Sequence, residues 1–434
     1  MSTRPITLAT YWRLLRWNRN FRRLWLAQVI SETGDWFYMV ALYAMLLEFT
    51  GRAEVLGLAF ALQVLPQALT GPVAGVINDR VSRKRVMIWS DLARFVIIAL
   101  ILLVRSPSML WLVYPLLVSE TLMWGLFEPA RNAVIPNIVE EEDVLAANTL
   151  SSTTWSMNLF LGSALGGLAV VWLGREAVFA LDATSFLVSA ALVAGMKFTE
   201  PHMERMPPVR LRDLVDYSPM LAGVRYVRGQ GRMLATIFVK AGLGATGASW
   251  VIFPILGATT FRVTGEGIDV KQEALLGMSF LMGARGLGSL VGPLAGARWA
   301  GQQMGRLRAG VLLGFLTFGA GYLALAWLSW KPAAYAAVII SHMGGAMVWV
   351  FSTTLLQLMS EDRFRGRVFS AELGFCTAVL GTTAFGAGWL LDHGVSIQTL
   401  LEATAGLTFV AGALWAWLGM GKQRVGADDR RVSF

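Results

Sequence analysis

Apolar residues in this chain fall in long blocks separated by short polar stretches. The blocks cover approximately 23–49, 54–77, 86–104, 108–130, 146–173 and 176–198, then 233–260, 272–299, 308–329, 332–358, 368–391 and 395–420. A helix rises about 1.5 Å per residue, so each block is long enough to cross about 30 Å of hydrocarbon. The pattern predicts an all-α membrane protein of twelve transmembrane helices. The tight turns carry the charge. Between the second and third blocks, Asp79, Arg80, Arg83, Lys84 and Arg85 crowd into a few positions.

Charge distribution sets the orientation. Of 37 Lys and Arg, six lie in odd-numbered loops (Arg52, Arg105, Arg175, Arg262, Lys271, Lys331) and three deep within blocks (Arg94, Lys240, Arg285). The remaining 28 sit in the termini, the even-numbered loops and the block ends that adjoin them, which predicts that both termini and the 80–85 turn are cytoplasmic. The net charge of +9 is thus a record of topology and not a footprint for nucleic acid. Composition adds that the main solvent is membrane lipid: 55% hydrophobic, 15% charged, mean hydropathy +0.56. A single cysteine, Cys376, excludes an internal disulfide, so helix packing must supply stability. Arg4, Arg13, Arg16, Arg19 and Arg22 precede the first block and Arg23 opens it. That block outruns a signal core and lacks a small-residue cleavage site, so it is read as a retained first helix.

One connection is long. Thr199 to Arg232 contains Pro201, Pro207 and Pro208, then Leu211-Arg212-Asp213-Leu214-Val215-Asp216-Tyr217, and its second part, with Arg210, Arg212, Arg225, Arg228 and Arg232, is amphipathic and basic, as suits an anionic leaflet. The expected domains are therefore 1–200, an N-terminal six-helix bundle, 201–231, a cytoplasmic linker with an amphipathic helix, and 232–434, a C-terminal six-helix bundle with a short tail. The halves echo one another about 220 residues apart. Thr70-Gly71-Pro72-Val73-Ala74-Gly75 returns as Val291-Gly292-Pro293-Leu294-Ala295-Gly296, Glu142-Asp143 as Glu361-Asp362, and Leu161-Gly162 as Leu380-Gly381. Two pseudo-symmetric bundles of like orientation are one of the transporter plans.

The turn Gly75-x-x-x-Asp79-Arg80-x-x-Arg83-Lys84 resembles the signature loop of the major facilitator superfamily. Phe21-Arg22-Arg23-Leu24-Trp25, Ser31-Glu32-Thr33-Gly34-Asp35, Pro129-Ala130-Arg131, Ala146-Ala147-Asn148 and Arg365-Gly366-Arg367-Val368 resemble its drug/proton antiporter branch, which includes macrolide-efflux and enterobactin-exporter proteins. The resemblance implies a bacterial inner-membrane transporter, monomeric, that moves a small molecule against protons without a cofactor. It also implies that Gly75, Asp79, Arg80, Arg83 and Lys84 form a gate, with Asp79 meeting the start of the eleventh helix near 366–370. Two features depart from the family. Gly162-Ser163-Ala164-Leu165-Gly166-Gly167 has serine where the antiporter motif has proline, and Glu120 lies in the fourth helix where many members carry arginine.

Ionisable groups within spans are costly, about 2.5–3.5 kcal/mol each at a helix centre, and persist where they face a cavity or a partner. Glu32 and Asp35, three apart on one helical face beside Gly34, are candidate proton-coupling groups, with Glu120. Trp36, Tyr38, Trp124, Lys240, Arg285 and Glu372 are candidates for the substrate cavity, whose apolar walls Phe37, Trp155, Trp250, Trp349 and Phe375 could extend. Asp91 with Arg94, and Glu128 with Arg131, read as surface networks at the cytoplasmic ends of their helices. His342 reads as a packed polar residue. Gly242-Leu243-Gly244-Ala245-Thr246-Gly247 imitates a dinucleotide fingerprint, but no strand precedes it, so it reads as a packing surface. No metal-ligand spacing, phosphate loop or nucleophile constellation appears, so neither an enzyme nor ATP-driven transport is expected. The expected function is proton-coupled efflux of an amphipathic or hydrophobic small molecule, in the multidrug manner. Lysolipid or siderophore movement with different coupling, or a non-transporting membrane sensor, remain the alternatives.

Overall fold

The structure, a computed structural model, describes residues 8–200, 203, 225–227, 231–301 and 303–420, with the backbone alone at 69, 72 and 362–366. The described residues are helical, with no strand among them. Leu8–Trp17 forms a short α1, followed by α2 (Arg19–Thr50), α3 (Ala53–Arg80), α4 (Arg83–Ile101), α5 (Leu110–Ile138), α6 (Val144–Leu173) and α7 (Arg175–Ala194). Beyond the long connection come α8 (Gly231–Gly242), a 3₁₀ turn (Leu243–Ala248) and α9 (Ser249–Ala258), which together make one span, then α10 (Val270–Ala300), α11 (Met304–Leu325), α12 (Lys331–Met359), α13 (Asp362–Asp392) and α14 (Ile397–Gly419).

Local sequence explains where the helices begin and end. Asn18 caps α2 by accepting from the Phe21 amide, Ser82 caps α4, and Asp269 with Gln272 makes a reciprocal capping box at α10. Gly51 ends α2 in the left-handed region, at φ 63°, which favours glycine. Nine helices among the described residues are long and apolar enough to cross a membrane, ten if the two parts of α3, bent by 54°, form one span. The twelve expected from block length are not all reached on apolarity. The helices that fall short, α2 and α4, are those that hold Glu32, Asp35, Asp91 and Arg94. The expected linker helix at 211–217 lies outside the described residues.

A helix missing from the sequence reading is α1. It lies on the basic face, the end of the bundle that carries the 80–85 turn, and leaves Trp12 and Trp17 exposed, as an interfacial anchor does. Arg13 ties it to Asp143 at the start of α6, at 2.6 Å.

Across the two halves, α3 runs along α13 and α6 along α10. Small residues make this possible, because a lipid-embedded interface gains from close van der Waals packing and not from a hydrophobic driving force. A Cβ on Gly286 would stand 2.5 Å from the Phe160 Cα, and one on Gly388 2.5 Å from the Ala53 carbonyl oxygen. Gly57 meets the Ala384 carbonyl and Gly167 meets Ser279 in the same way. At the face opposite the basic one, polar ties cross the same seam. Glu48 of α2 pairs with Arg175 of α7 at 2.7 Å and with Lys271 of α10 at 2.8 Å. Asp392, at the end of α13, accepts from the Ala53 and Glu54 amides that open α3, both at 2.9 Å. Nearby, Met45, Glu48, Arg175, Lys271, Leu275 and Met278 line a cavity of about 390 Å³.

Toward the basic face the seam differs: a Cβ on Gly71, Gly75 or Gly374 would meet nothing within 4 Å among the described residues. The Gly242–Gly247 run is a packing surface, as expected. Gly244 abuts Val379, Gly247 abuts the Leu380 carbonyl, and Thr383 donates to the Gly244 carbonyl at 2.6 Å. Replacing Gly286 by Val should force α6 and α10 apart and cost about 1–3 kcal/mol by overpacking. The check is the thermal midpoint of purified protein in detergent, where Gly286→Val should melt several degrees below Gly374→Val, a change into open space.

Candidate functional site

Arg94 is the centre of the N-terminal half. Because α4 begins at Arg83, Arg94 lies eleven residues into it, about 16 Å along the axis at 1.5 Å per residue. Its side chain keeps only 2% of its exposure. The guanidinium donates from Nε to Glu120 Oε1 of α5 at 3.0 Å and from one terminal nitrogen to the same oxygen at 2.8 Å and to Asp35 Oδ1 of α2 at 2.7 Å. The Phe186 ring of α7 covers its face at 4.0 Å. One cation therefore joins four helices at mid-depth. The expectation that Asp91 and Arg94 form a surface pair is overturned. Both are buried, and Asp91 accepts from Ser189 of α7 at 2.6 Å instead.

Two more acids close the cluster. Asp91 Oδ1 and Asp182 Oδ2 are enclosed without a hydrogen-bond partner, and Asp182 Oδ1 lies 3.5 Å from Ser185 Oγ. Gly34 gives Asp182 its place: a Cβ there would run into the Asp182 carboxylate and stand 2.8 Å from Ser185 Oγ. The close approach expected at Gly34 is thus made by an acid of α7 that the sequence reading did not single out. Asp182 was open to discovery as a lone charge in an apolar block. Asp35, 28% exposed, is the most open member of the ion-paired trio, against 14% for Glu120.

Glu32 belongs to a second network one turn away. It accepts from Gln28 at 2.9 Å and from Asn158 of α6 at 3.1 Å. Gln28 in turn accepts from Arg131 of α5 at 2.8 Å, and Arg131 also grips Glu128. Arg131 is 5% exposed, so this pair, also expected at the surface, is an interior one. Glu32 and Asp35 share a helical face, yet their partners come from different helices.

In the C-terminal half, Lys240 of α8 pairs with Glu372 of α13 at 2.9 Å, with the ammonium 4.3 Å from the Trp349 ring centre. Both side chains are under 8% exposed. Arg285 of α10 stacks on Trp250 at 3.9 Å and donates to Ser249 at 3.2 Å. Trp250 stacks on Phe60 of α3 at 4.6 Å and lies parallel to Trp36 of α2 at 6.3 Å, which joins the halves through aromatic rings. Tyr38 is buried against Phe179, and Trp124 is half-buried. His342 packs between Phe253 and Phe318 and meets the Tyr322 hydroxyl at 3.2 Å, a packed polar residue as expected.

The 80–85 turn is built from ties within its own half. Glu200 accepts from Ser82 Oγ at 2.5 Å and from the Arg83 amide at 2.7 Å, completing the cap of α4. Arg83 donates to the Ala133 carbonyl and Lys84 to the Met196 carbonyl, each a cation near the carbonyl end of a helix. Asp79 is 60% exposed and lies 3.9 Å from Arg83. Of its expected meeting place at 366–370, the side chains of 367–370 are described, and Asp79 makes no ion pair or hydrogen bond with them. Glu200 carried no sequence signal, since its partners are over a hundred positions away. Among the described residues no group of His, Cys, Asp and Glu could hold a metal ion.

Leaving Asp35 and Glu120 without their cation should be expensive, since breaking one side of a buried pair costs about 3–5 kcal/mol. Arg94→Met is expected to lower the melting temperature sharply and to reduce the monodisperse yield. Adding Asp35→Asn and Glu120→Gln to Arg94→Met should restore most of the loss, and a thermal-shift comparison of the single and triple variants reads both.

Residues 24–371 match the family described as the Major Facilitator Superfamily. The transporter YfiS of Bacillus subtilis, termed uncharacterized, is 24% identical over 89% of this chain and 91% of its own length. Macrolide efflux protein A of Streptococcus pyogenes is 26% identical over 59% and 63%, and the putative bacilysin exporter BacE of Bacillus subtilis 24% over 83% and 86%. Among solved structures, the nucleoside transporter NupG covers 93% of this chain and all of its own, with a TM-score of 0.70 and 10% identity. A POT family transporter in complex with 5-aminolevulinic acid covers 93% and 96%, with a TM-score of 0.73 and 10% identity. Likeness at such identity speaks for the fold alone, whereas the matched span covers most of the chain: this protein is an integral membrane transporter that belongs to the Major Facilitator Superfamily.

Proposed function

We propose that this chain is a proton-coupled exporter of an amphipathic or hydrophobic small molecule. In this reading it resides in a bacterial inner membrane as a monomer, with both termini and the basic face cytoplasmic. Residues 1–200 and 232–434 form the two moving halves, and 201–231 joins them. Export is supported by relatives named for macrolide efflux and for bacilysin export. Coupling is supported by one observation above the others: Arg94 is shared by carboxylates from two other helices, one of them partly open.

The chemistry follows from that sharing. With both acids ionised, Arg94 clamps α2 to α4 and α5. A proton placed on Asp35 removes one of its two anionic partners, and α2 is then held to α4 by a weaker neutral contact. Protonation thereby changes the relative stability of two helix arrangements, which is what coupling requires, since a proton that bound both equally would shift nothing. Asp91 and Asp182 place two more carboxyl groups beside the same cation, and Glu32 is a second site of the same kind on the same face.

The seam supports a resting arrangement closed at the face opposite the basic one. There Glu48 and Asp392 bridge the halves, whereas among the described residues nothing stands within 4 Å of a Cβ on Gly71, Gly75 or Gly374 toward the basic face. In alternating access the cavity would open to the cytoplasm in this arrangement. Asp79 would latch the other one.

Inverted membrane vesicles loaded with this protein test the coupling. An imposed pH gradient should drive uptake of a lipophilic dye, and Asp35→Asn should reduce that gradient-driven component at least about tenfold, a loss of about 1.4 kcal/mol. Energy-independent exchange of the same dye should persist. Uptake in Asp35→Asn with an unchanged response to the gradient would rule Asp35 out as the coupling acid.

A further inference from the structure

The interior charge of the two halves is unequal. Around Arg94 and Arg131 in the first half stand Asp35, Glu120, Asp91, Asp182, Glu32 and Glu128. At comparable depth in the second half stand two cations, Lys240 and Arg285, and a single acid, Glu372, which is taken up by Lys240. Arg285 is left over. Among the described residues no carboxylate lies within 4.0 Å of its guanidinium, which stacks on the Trp250 ring and donates to the Ser249 hydroxyl, with Tyr43 and Tyr322 close by.

A cation at the midpoint of a membrane helix is costly and persists where something compensates it. Stacking on Trp250 supplies part of the compensation, but it uses the face of the guanidinium and not its edge. One terminal nitrogen donates to Ser249, and among the described residues nothing accepts from the other donors, which are not fully enclosed. The contrast with Glu372 Oε1, Asp91 Oδ1 and Asp182 Oδ2, which are enclosed, is informative. A planar fork held by its face, with edge donors that no described residue accepts from, is the geometry that takes a carboxylate in bidentate fashion.

The surroundings describe the rest of the ligand. Trp250, Phe60 and Trp36 form a layered aromatic platform contributed by both halves, and each is under 9% exposed. A ligand whose anionic group reached Arg285 would lay its apolar body against the crossing between α2, α3 and α9. We propose that Arg285 is an anion-binding group and that the substrate is an organic carboxylate with an apolar or aromatic body. The reading rests on transport through the central crevice, as proposed above. It narrows the substrate class from hydrophobic compounds in general to organic anions and excludes the lipophilic cations that a multidrug pump would favour.

Three fluorophores of one body and different charge test it: dansylglycine, its methyl ester and dansylcadaverine, titrated against purified protein in a neutral detergent. Binding needs no gradient, and the ratio of affinities for probes that share one site does not depend on proton coupling. Dansylglycine should bind at least about tenfold more tightly than the ester, and dansylcadaverine more weakly than either. Arg285→Gln should remove the preference for the carboxylate while leaving the ester's affinity in place, and Arg285→Lys should keep much of it. Asp35→Asn changes which arrangement is populated and so shifts the affinity for acid and ester together, but it should keep their ratio; if that variant loses gradient-driven transport and keeps the ratio, the two readings stand separately. Equal or tighter binding of the ester or the amine overturns the proposal. So does an equal loss for all three probes in Arg285→Gln, which would mark Arg285 as a packing residue, or no saturable binding of dansylglycine to the unaltered protein.

Discussion

An arginine sealed between helices in hydrocarbon needs its charge met by its neighbours, and much of the first half follows from that constraint. Arg94 cannot shed its proton, so its charge has to be met where it stands. Two carboxylates do so, from α2 and α5, while Phe186 of α7 closes the side. The four helices therefore cannot slide independently without exposing a charge. The same constraint brings Gly34 into the argument, because only a residue without a Cβ lets α7 bring Asp182 against α2. Polar atoms in lipid specify position more sharply than apolar ones, since lipid tails contact any leucine about equally well.

The two interfaces between the halves obey a different rule. Along α3 with α13 and α6 with α10, contact is made by glycine against backbone, and charge is confined to the ends. Such a seam gains little from any one contact and can part and re-form. Asp392 shows how the end is fixed: its two oxygens take the two free amides at the start of α3, a site where the helix dipole also favours an anion. By the expectation for Asp79, the other end of the same helix pair would use the converse arrangement, an acid at the end of α3 facing the start of α13. A pair of helices latched at either end by an acid of one against the amides of the other has two stable arrangements by construction.

Much of this was legible in the sequence, because block length and the basic loops depend on neighbouring residues only. The deep acids Glu32, Asp35 and Glu120 were legible for the same reason: a lone carboxylate in an apolar run announces itself. What could not be read was pairing. Asp91 and Arg94, three apart, suggested a local pair, yet Arg94 turns to Asp35 and Glu120 and leaves Asp91 to Ser189. Depth was misjudged as well. Placing the start of the third block at 86, where α4 begins at Arg83, made Arg94 look closer to the surface than it is. Glu200 and the α1 anchor were missed because their roles rest on contacts across more than a hundred positions.

The missing arginine of α5 shows why chemistry and not position is the quantity to follow. Many relatives resembled at the sequence level carry an arginine deep in the fourth span, and here Glu120 occupies that helix. Read alone, the exchange looks like the loss of a coupling element. In the structure the cation enters from α4 and the acid from α5, so the interior still holds an arginine facing carboxylates, with donor and acceptor exchanged between adjacent helices. A charge pair across two packed helices is symmetric with respect to which helix supplies which sign, provided both groups reach the same point. The serine in place of proline at Ser163 is of another kind. Ser163 is buried and the helix remains unbroken from Val144 to Leu173, so the adjoining glycines can do the packing without a kink: Gly162 against Trp36, Gly166 against Phe37 and Gly167 against Ser279. Close approach needs a missing Cβ, and the glycines supply it whether or not proline precedes them.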